Sequence, residues 1–351
     1  MLINGENAHG GDIYSNKVVL DFSANVSMLG TPIGVKKAII EATEGLSCYP
    51  DPYCRELRRK ISEYEQVSYN YIICGNGAAD LIFGVANALK PQKALIVSPT
   101  FCEYENALQS VGCTVDYHML KADNGFNITQ SLQDQIQKGY DAVFICNPNN
   151  PTGQLYDKQS VLVIANLCRE NGQLLFLDEC FMDLTDNPKD FTLAGEIEKN
   201  KNIFILKAFT KSFGMAGVRL GYGLCSNEEL LEKMSKMSQV WNVSTLAQKA
   251  GCGALGSQNF LNSLREQVAA ERQFLYEQLT ELGLTVYKGN ANFLLFEGDE
   301  NLYEKLMKKG IMLRKCANFK GLNEHFYRCA VKNHEDNIKL IEAIKKEVSY
   351  G

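Results

Sequence analysis

A chain of 351 residues with 45% hydrophobic and 22% charged side chains can bury a large core and has the composition of an ordinary globular protein. Its formal net charge of −5 argues against nucleic acid or an anionic membrane surface as a partner. Twelve cysteines with no CxxC pair, and four histidines with none at ligand spacing to a cysteine, read as buried reduced thiols, with no zinc or other metal expected. No basic-then-apolar leader opens the sequence and no apolar run is long enough to cross a bilayer, so the expected location is a reducing cytoplasm.

Along the chain, Tyr71 to Cys74 is a short apolar run and Ala78 to Leu89 has helical spacing. A strand over Ala94 to Val97 is followed by a helix over Glu103 to Val111. Asp141 to Cys146 reads as a buried strand, Ser160 to Asn171 as a helix and Leu174 to Leu177 as a strand. Asn202 to Leu206 and Leu220 to Cys225 complete the strand set. Short apolar runs alternating with helices predict an α/β sheet covered on both faces. Ser257 to Leu282, charged and free of glycine, predicts one long helix. Beyond Leu284 the pattern becomes α+β: a strand over Ala291 to Phe296, a helix over Leu302 to Lys309, two short strands and a final helix. The expected organisation is a large unit, residues 46–283, and a small discontinuous α+β unit made of residues 1–45 and 284–351.

In open α/β sheets, ligands sit at the carboxyl ends of the strands. The chemistry-bearing runs fall there. Cys74-Gly75-Asn76-Gly77-Ala78 lies between a strand and a helix, where small residues let backbone amides approach a phosphate. Asp80 stands where a complete GxGxxG would carry its last glycine. Pro99-Thr100-Phe101, Asn147-Pro148-Asn149-Asn150-Pro151-Thr152-Gly153 and Asp178 each follow a strand. Lys211 follows the apolar run Ile203 to Leu206, with Arg219 eight positions on. A lysine is a poor nucleophile until it is desolvated or crowded by positive charge; then it can condense with a carbonyl. Arg328, inside the apolar run Phe326 to Val331, needs an anion. Singly, these features read as a turn, a core aromatic or an internal ion pair.

Together and in this order they resemble the fold-type I pyridoxal-phosphate enzymes, the class I/II aminotransferase group, over nearly the whole chain. The resemblance implies a mostly parallel seven-stranded sheet, pyridoxal 5′-phosphate as cofactor and a homodimer with shared active sites. It implies that Lys211 is the catalytic residue and holds the cofactor aldehyde. Arg219, Thr210 and the loop of Asn76, Gly77 and Ala78 would hold its phosphate. Phe101 would stack on the pyridine ring, Asp178 pair with its nitrogen and Asn150 donate to its phenolic oxygen. Tyr49 would reach the neighbouring subunit's cofactor phosphate. Ala208 departs from the family, which has a serine or threonine there; Thr210 can supply the hydroxyl instead.

Two branches share these motifs. The run Ala8-His9-Gly10-Gly11, the run Leu20-Asp21-Phe22-Ser23-Ala24-Asn25 continuing to Gly30, and Arg314-Lys315-Cys316-Ala317-Asn318 continuing to Leu322 resemble the threonine-phosphate decarboxylases, a cobalamin-pathway branch. So do Phe181, where most aminotransferases carry tyrosine, Trp241-Asn242-Val243 and Asn290-Ala291-Asn292-Phe293. That branch implies decarboxylation of a phosphorylated α-amino acid, L-threonine O-3-phosphate or L-serine O-phosphate. The alternative is transamination of histidinol phosphate or another amino acid. Arg328 would hold the substrate carboxylate; Arg314 and His9 would hold its phosphate, with Asn25 and Asn150 also facing the substrate. Lys315 and Lys320 read as solvated surface.

Overall fold

The computed structural model describes residues 9–15 and 17–348; Ala8, from the first of the branch motifs, lies outside them. Seven strands form the central sheet in the spatial order Ile72–Gly75, Gly221–Leu224, Ile203–Ala208, Leu174–Asp178, Ala142–Cys146, Lys93–Ser98, Thr114–Met119. Neighbours are parallel except around Gly221–Leu224, which is antiparallel to both of its partners. The expected mostly parallel seven-stranded sheet is therefore present. Its three central strands are buried at every residue, as strands covered on both faces must be.

Alternation along those strands divides the core in two. On one face Phe144, Phe176 and Phe204 lie in register on adjacent strands, with ring centroids 4.7 and 5.5 Å apart. They pack with Leu81, Val85 and Leu108 from the helices Ala78–Leu89 and Glu103–Ser110. On the other face Leu175, Leu177, Ile203 and Ile205 meet Leu57, Val161 and Ile164. The crossover helix Lys158–Glu170 starts where Asp157 accepts from the Ser160 amide at 2.9 Å.

A four-stranded antiparallel sheet, in the order Arg314–Lys315, Phe326–Ala330, Phe293–Glu297, Val286–Tyr287, is covered by the helices Gln258–Glu281 and His334–Val348. The first of these is the long helix expected from the sequence. The N-terminal stretch joins this second sheet's region. Leu20–Asp21 pairs in parallel with Ile311–Met312, and Phe22 donates to Met312 O and accepts from the Ala330 amide, both at 2.8 Å. The helix Ile33–Ala42, by contrast, packs on Thr245–Leu255. Their backbones approach so closely that a Cβ on Gly253 would stand 2.7 Å from Gly34 O.

All twelve cysteines are free, and among the described residues no helix is long and apolar enough to cross a membrane.

Candidate active site

A cavity of about 400 Å3 opens at the carboxyl ends of the sheet strands. His9, Asn25, Ala78, Phe101, Asn150, Asp178, Thr210, Lys211, Arg219, Arg314 and Arg328 all line it. The fold thus gathers most of the sequence-predicted site residues around one space.

Lys211 comes from the single turn Phe209–Ser212 that ends the strand Ile203–Ala208. Withdrawal from water, then the nearby charges of Arg328 and Arg219, lower its pKa to about 8. The neighbouring Lys207 is differently placed. It is buried between Glu65 and Glu179, at 3.2 and 3.3 Å, which hold its ammonium charged. Among the described residues, no carboxylate lies within salt-bridge distance of Lys211, Arg219 or Arg328. These three and Arg314 face a cavity whose lining holds one acid.

That acid is Asp178. Burial raises its pKa, and donors oppose the rise: Cys180 N–H reaches Oδ1 at 2.8 Å and the Tyr104 hydroxyl donates to Oδ2. Tyr104 is fully buried, edge-on to Phe101 at 5.8 Å and tilted against Phe144 and Phe176. Sequence reasoning missed it. It sits on the first turn of its helix, three residues after Phe101, but its partner is 74 positions away. Tyr104→Phe is expected to cost about 1.5–3 kcal/mol, the loss of a hydrogen bond to a charged group. Urea unfolding of the cofactor-free variant measures this, and a change below about 0.5 kcal/mol would show the bond contributes little.

At the opposite wall, Gly77 caps the helix Ala78–Leu89 with φ +88°, a conformation natural only to glycine. A Cβ there would stand 2.6 Å from Arg219 Nη2, so glycine also leaves room for the guanidinium. Helix amides and Arg219 together form an anion cradle. Asp80, read from the sequence only as a replaced glycine, orders this loop by accepting from the Asn76 amide at 3.0 Å and from Asn242 Nδ2 at 2.7 Å.

Arg328 and Arg314 lie directly opposite one another on adjacent antiparallel strands. Arg328 donates to Asn150 Oδ1 and to Ser23 O, the latter at 2.8 Å. With its amide oxygen turned inward, Asn25 accepts from Arg328 Nη1 and Nε at 3.2 Å each. Burial lowers the Arg328 pKa to about 10. Arg314 donates to Lys315 O and, at 2.8 Å, to Asn318 Oδ1. His9 Nε2 is 3.0 Å from Glu103 Oε1, and its ring leans on Phe101. The N-terminal segment closes this side: Ser27 N–H donates to Lys211 O at 2.9 Å and Thr31 Oγ1 to Gly214 O at 2.8 Å.

Three expected residues are not on the cavity wall. Asn76 is exposed, and Gly77 lies behind Arg219. Tyr49 is 76% exposed and stacks on Trp241, with centroids 3.9 Å apart. Lys315 and Lys320 pair with Glu304 and Glu105 and are partly solvated, as expected.

The donor set fits pyridoxal 5′-phosphate: an anion cradle, a buried carboxylate for a protonated ring nitrogen, an aromatic wall and an amine of lowered pKa. The fold and this site define a fold-type I pyridoxal-phosphate enzyme. The chain belongs to the aminotransferase class I and II family, whose model matches residues 17–344. It is 34% identical over 350 residues to the threonine-phosphate decarboxylase of Salmonella typhimurium, with 96% of each chain covered. It is 33% identical over 321 residues to histidinol-phosphate aminotransferase 1 of Archaeoglobus fulgidus, covering 90% of this chain and 96% of that one. The crystal structure of the histidinol-phosphate aminotransferase from Clostridium acetobutylicum matches with a TM-score of 0.89 at 31% identity, over 95% of this chain and 100% of that chain.

Proposed function

We propose that this enzyme decarboxylates a phosphorylated α-amino acid, L-threonine O-3-phosphate or L-serine O-phosphate, giving CO2 and the amino-alcohol phosphate. The observation that carries this reading is the pair Arg328 and Arg314, side by side on one cavity wall. Like charges directly opposite on paired strands repel, and a substrate carrying both a carboxylate and a phosphate relieves that repulsion.

In this reading Arg219, the Ala78 amide and Thr210 hold the cofactor phosphate, Asp178 keeps the ring nitrogen protonated, Phe101 stacks on the ring and Asn150 faces its phenolic oxygen. The bound cofactor supplies an electron sink for the pair released at the substrate's Cα. Lys211 binds the cofactor aldehyde until the substrate amine displaces it. Its freed ammonium then returns a proton to Cα after CO2 departs. Phe181, its ring centroid 5.7 Å from Lys211 Nζ, offers no hydroxyl to compete for that proton. Arg328 orients the carboxylate, on which the choice of the breaking bond depends.

The depressed lysine pKa gives a pH prediction. Free amine is the nucleophile, so the rate at which apoenzyme captures added cofactor should rise with pH and level off above about 8. A rate still climbing toward the ordinary lysine value of about 10.4, measured by stopped-flow absorbance, would contradict the assignment.

The second reading, transamination of histidinol phosphate, is favoured by the near-equal identity to the Archaeoglobus relative. One paired assay separates the two. L-threonine phosphate or L-serine phosphate is offered and CO2 and amine are measured; histidinol phosphate with 2-oxoglutarate is offered and glutamate is measured. Product in the second assay alone overturns the decarboxylase reading.

The same reading includes a cytoplasmic homodimer. Tyr49, Tyr53 and Val240 are exposed on the chain's outer surface, and Tyr49 would complete the partner's phosphate site. It also includes a large unit, residues 46–283, and a small unit from the two ends of the chain. Sedimentation of the holoenzyme as a monomer would remove the shared site.

A further inference from the structure

We propose that His9, Cys102 and Glu103 form a Zn2+ site on the rim of the active-site cavity, and that its occupancy obstructs entry of the phosphorylated substrate. The sequence gives no hint of it, because His9 and Glu103 are 94 positions apart. The fold brings them together. Gly11 N–H is anchored to Ser23 Oγ at 2.7 Å, and Gly10 packs so tightly on Ser23 that a Cβ would meet its carbonyl oxygen at 2.4 Å. That places His9 over the start of the helix Glu103–Ser110, which Cys102 immediately precedes.

His9 Nε2 lies 3.0 Å and Cys102 Sγ 3.9 Å from Glu103 Oε1, and all three ligand atoms fall within 4.8 Å of one another. Tetrahedral zinc, with bonds of about 2.0–2.3 Å, sets its ligands roughly 3.3–3.8 Å apart. Side-chain movements of roughly an ångström therefore convert the cluster into three ligands. The mixture of imidazole, thiolate and carboxylate suits zinc better than calcium or magnesium, which take oxygen ligands. On binding, the Cys102 thiol releases one proton; the thiolate and the Glu103 carboxylate balance the dication. Burial, then the Glu103 charge, raises the Cys102 pKa, with Arg314 opposing, so the metal itself must displace the thiol proton. Among the groups facing the cluster, Asn106 donates to Glu103 Oε1 at 3.1 Å.

His9 and Cys102 both line the cavity, so the fourth zinc position faces it. Three protein ligands with one open position is the arrangement of a non-structural zinc site. A metal there would fix His9, already over the helix start, on the cavity lining that it shares with Arg314 and Asn318. This inference stands on the cluster's geometry, whichever phosphorylated amino acid is the substrate.

The test uses holoenzyme titrated with Co2+, whose ligand-field absorption lies beyond the cofactor's band, followed by displacement with Zn2+. One equivalent of tetrahedral-type absorption is expected, abolished by Zn2+ and retained in Cys48→Ser, which removes the exposed thiol. Cys102→Ser and Glu103→Gln should weaken Co2+ binding by more than the ~10–100-fold that loss of a mere supporting group costs. A weak octahedral spectrum, or binding unchanged in both variants, overturns the site. Stoichiometric binding with substrate turnover unaffected by Zn2+ overturns the obstruction.

Discussion

Lys211→Ala is expected to lower turnover by at least ~10²–10⁴-fold, the contribution of a positioned proton-transfer group alone. It should also remove the visible absorption of lysine-bound cofactor. The substitution deletes an amine that has no salt-bridge partner among the described residues, in a cavity that lowers its pKa to about 8. The backbone contact from Ser27 to Lys211 O survives the change, so the fold should persist. Absorption spectra and single-turnover kinetics on the purified variant check both effects. If the lysine-bound spectrum remained, another amine would hold the cofactor. Lys207 is a poor candidate, because two buried carboxylates keep it charged.

Arg328→Leu should reduce kcat/KM for the phosphorylated amino acid by about 30-fold to several thousand-fold. That corresponds to the ~2–5 kcal/mol lost when one partner of a buried, hydrogen-bonded charge pair is truncated. Arg328 also donates to Asn150 and Ser23, so part of the loss could come from loosening those residues. An amino-alcohol phosphate, which has no carboxylate, distinguishes the causes. Its affinity should change little if Arg328 grips the carboxylate. An equal loss for both molecules would make Arg328 a scaffold residue, and the carboxylate pole would have to lie elsewhere.

The central sheet was legible because its buried strands are unbroken apolar runs that end at glycine, proline or a charged residue. Phe144, Phe176 and Phe204, for example, sit in runs that can only be interior. The strand Thr114–Met119 was not foreseen. It forms the sheet's edge, only His118 in it is buried, and its residues alternate without a continuous apolar signal. Lys211, Asp178 and Arg328 were legible because each follows or interrupts an apolar strand, where a charge needs a reason, and Arg219 by its place eight positions after Lys211. Tyr104 was not, since a tyrosine on a helix resembles any core aromatic until its hydroxyl is seen to meet Asp178. Asp80 was noticed only as a missing glycine, whereas it ties Asn242 to the phosphate loop. Tyr49 shows the opposite limit: the fold of one chain leaves it stacked on Trp241 at the surface.

The cavity is closed by contacts that span almost the entire polypeptide. Arg328 reaches back 305 positions to Ser23, and Leu20–Asp21 pairs with Ile311–Met312. On the ribosome, then, residues 20 to 23 must wait for residues some 300 positions further on. The large sheet can assemble while synthesis continues, but a nascent chain arrested before residue 311 lacks the substrate wall altogether. A competent pocket therefore waits on synthesis past residue 328, and a truncation that removes Ile311 to Arg328 should be as damaging as one within the large sheet.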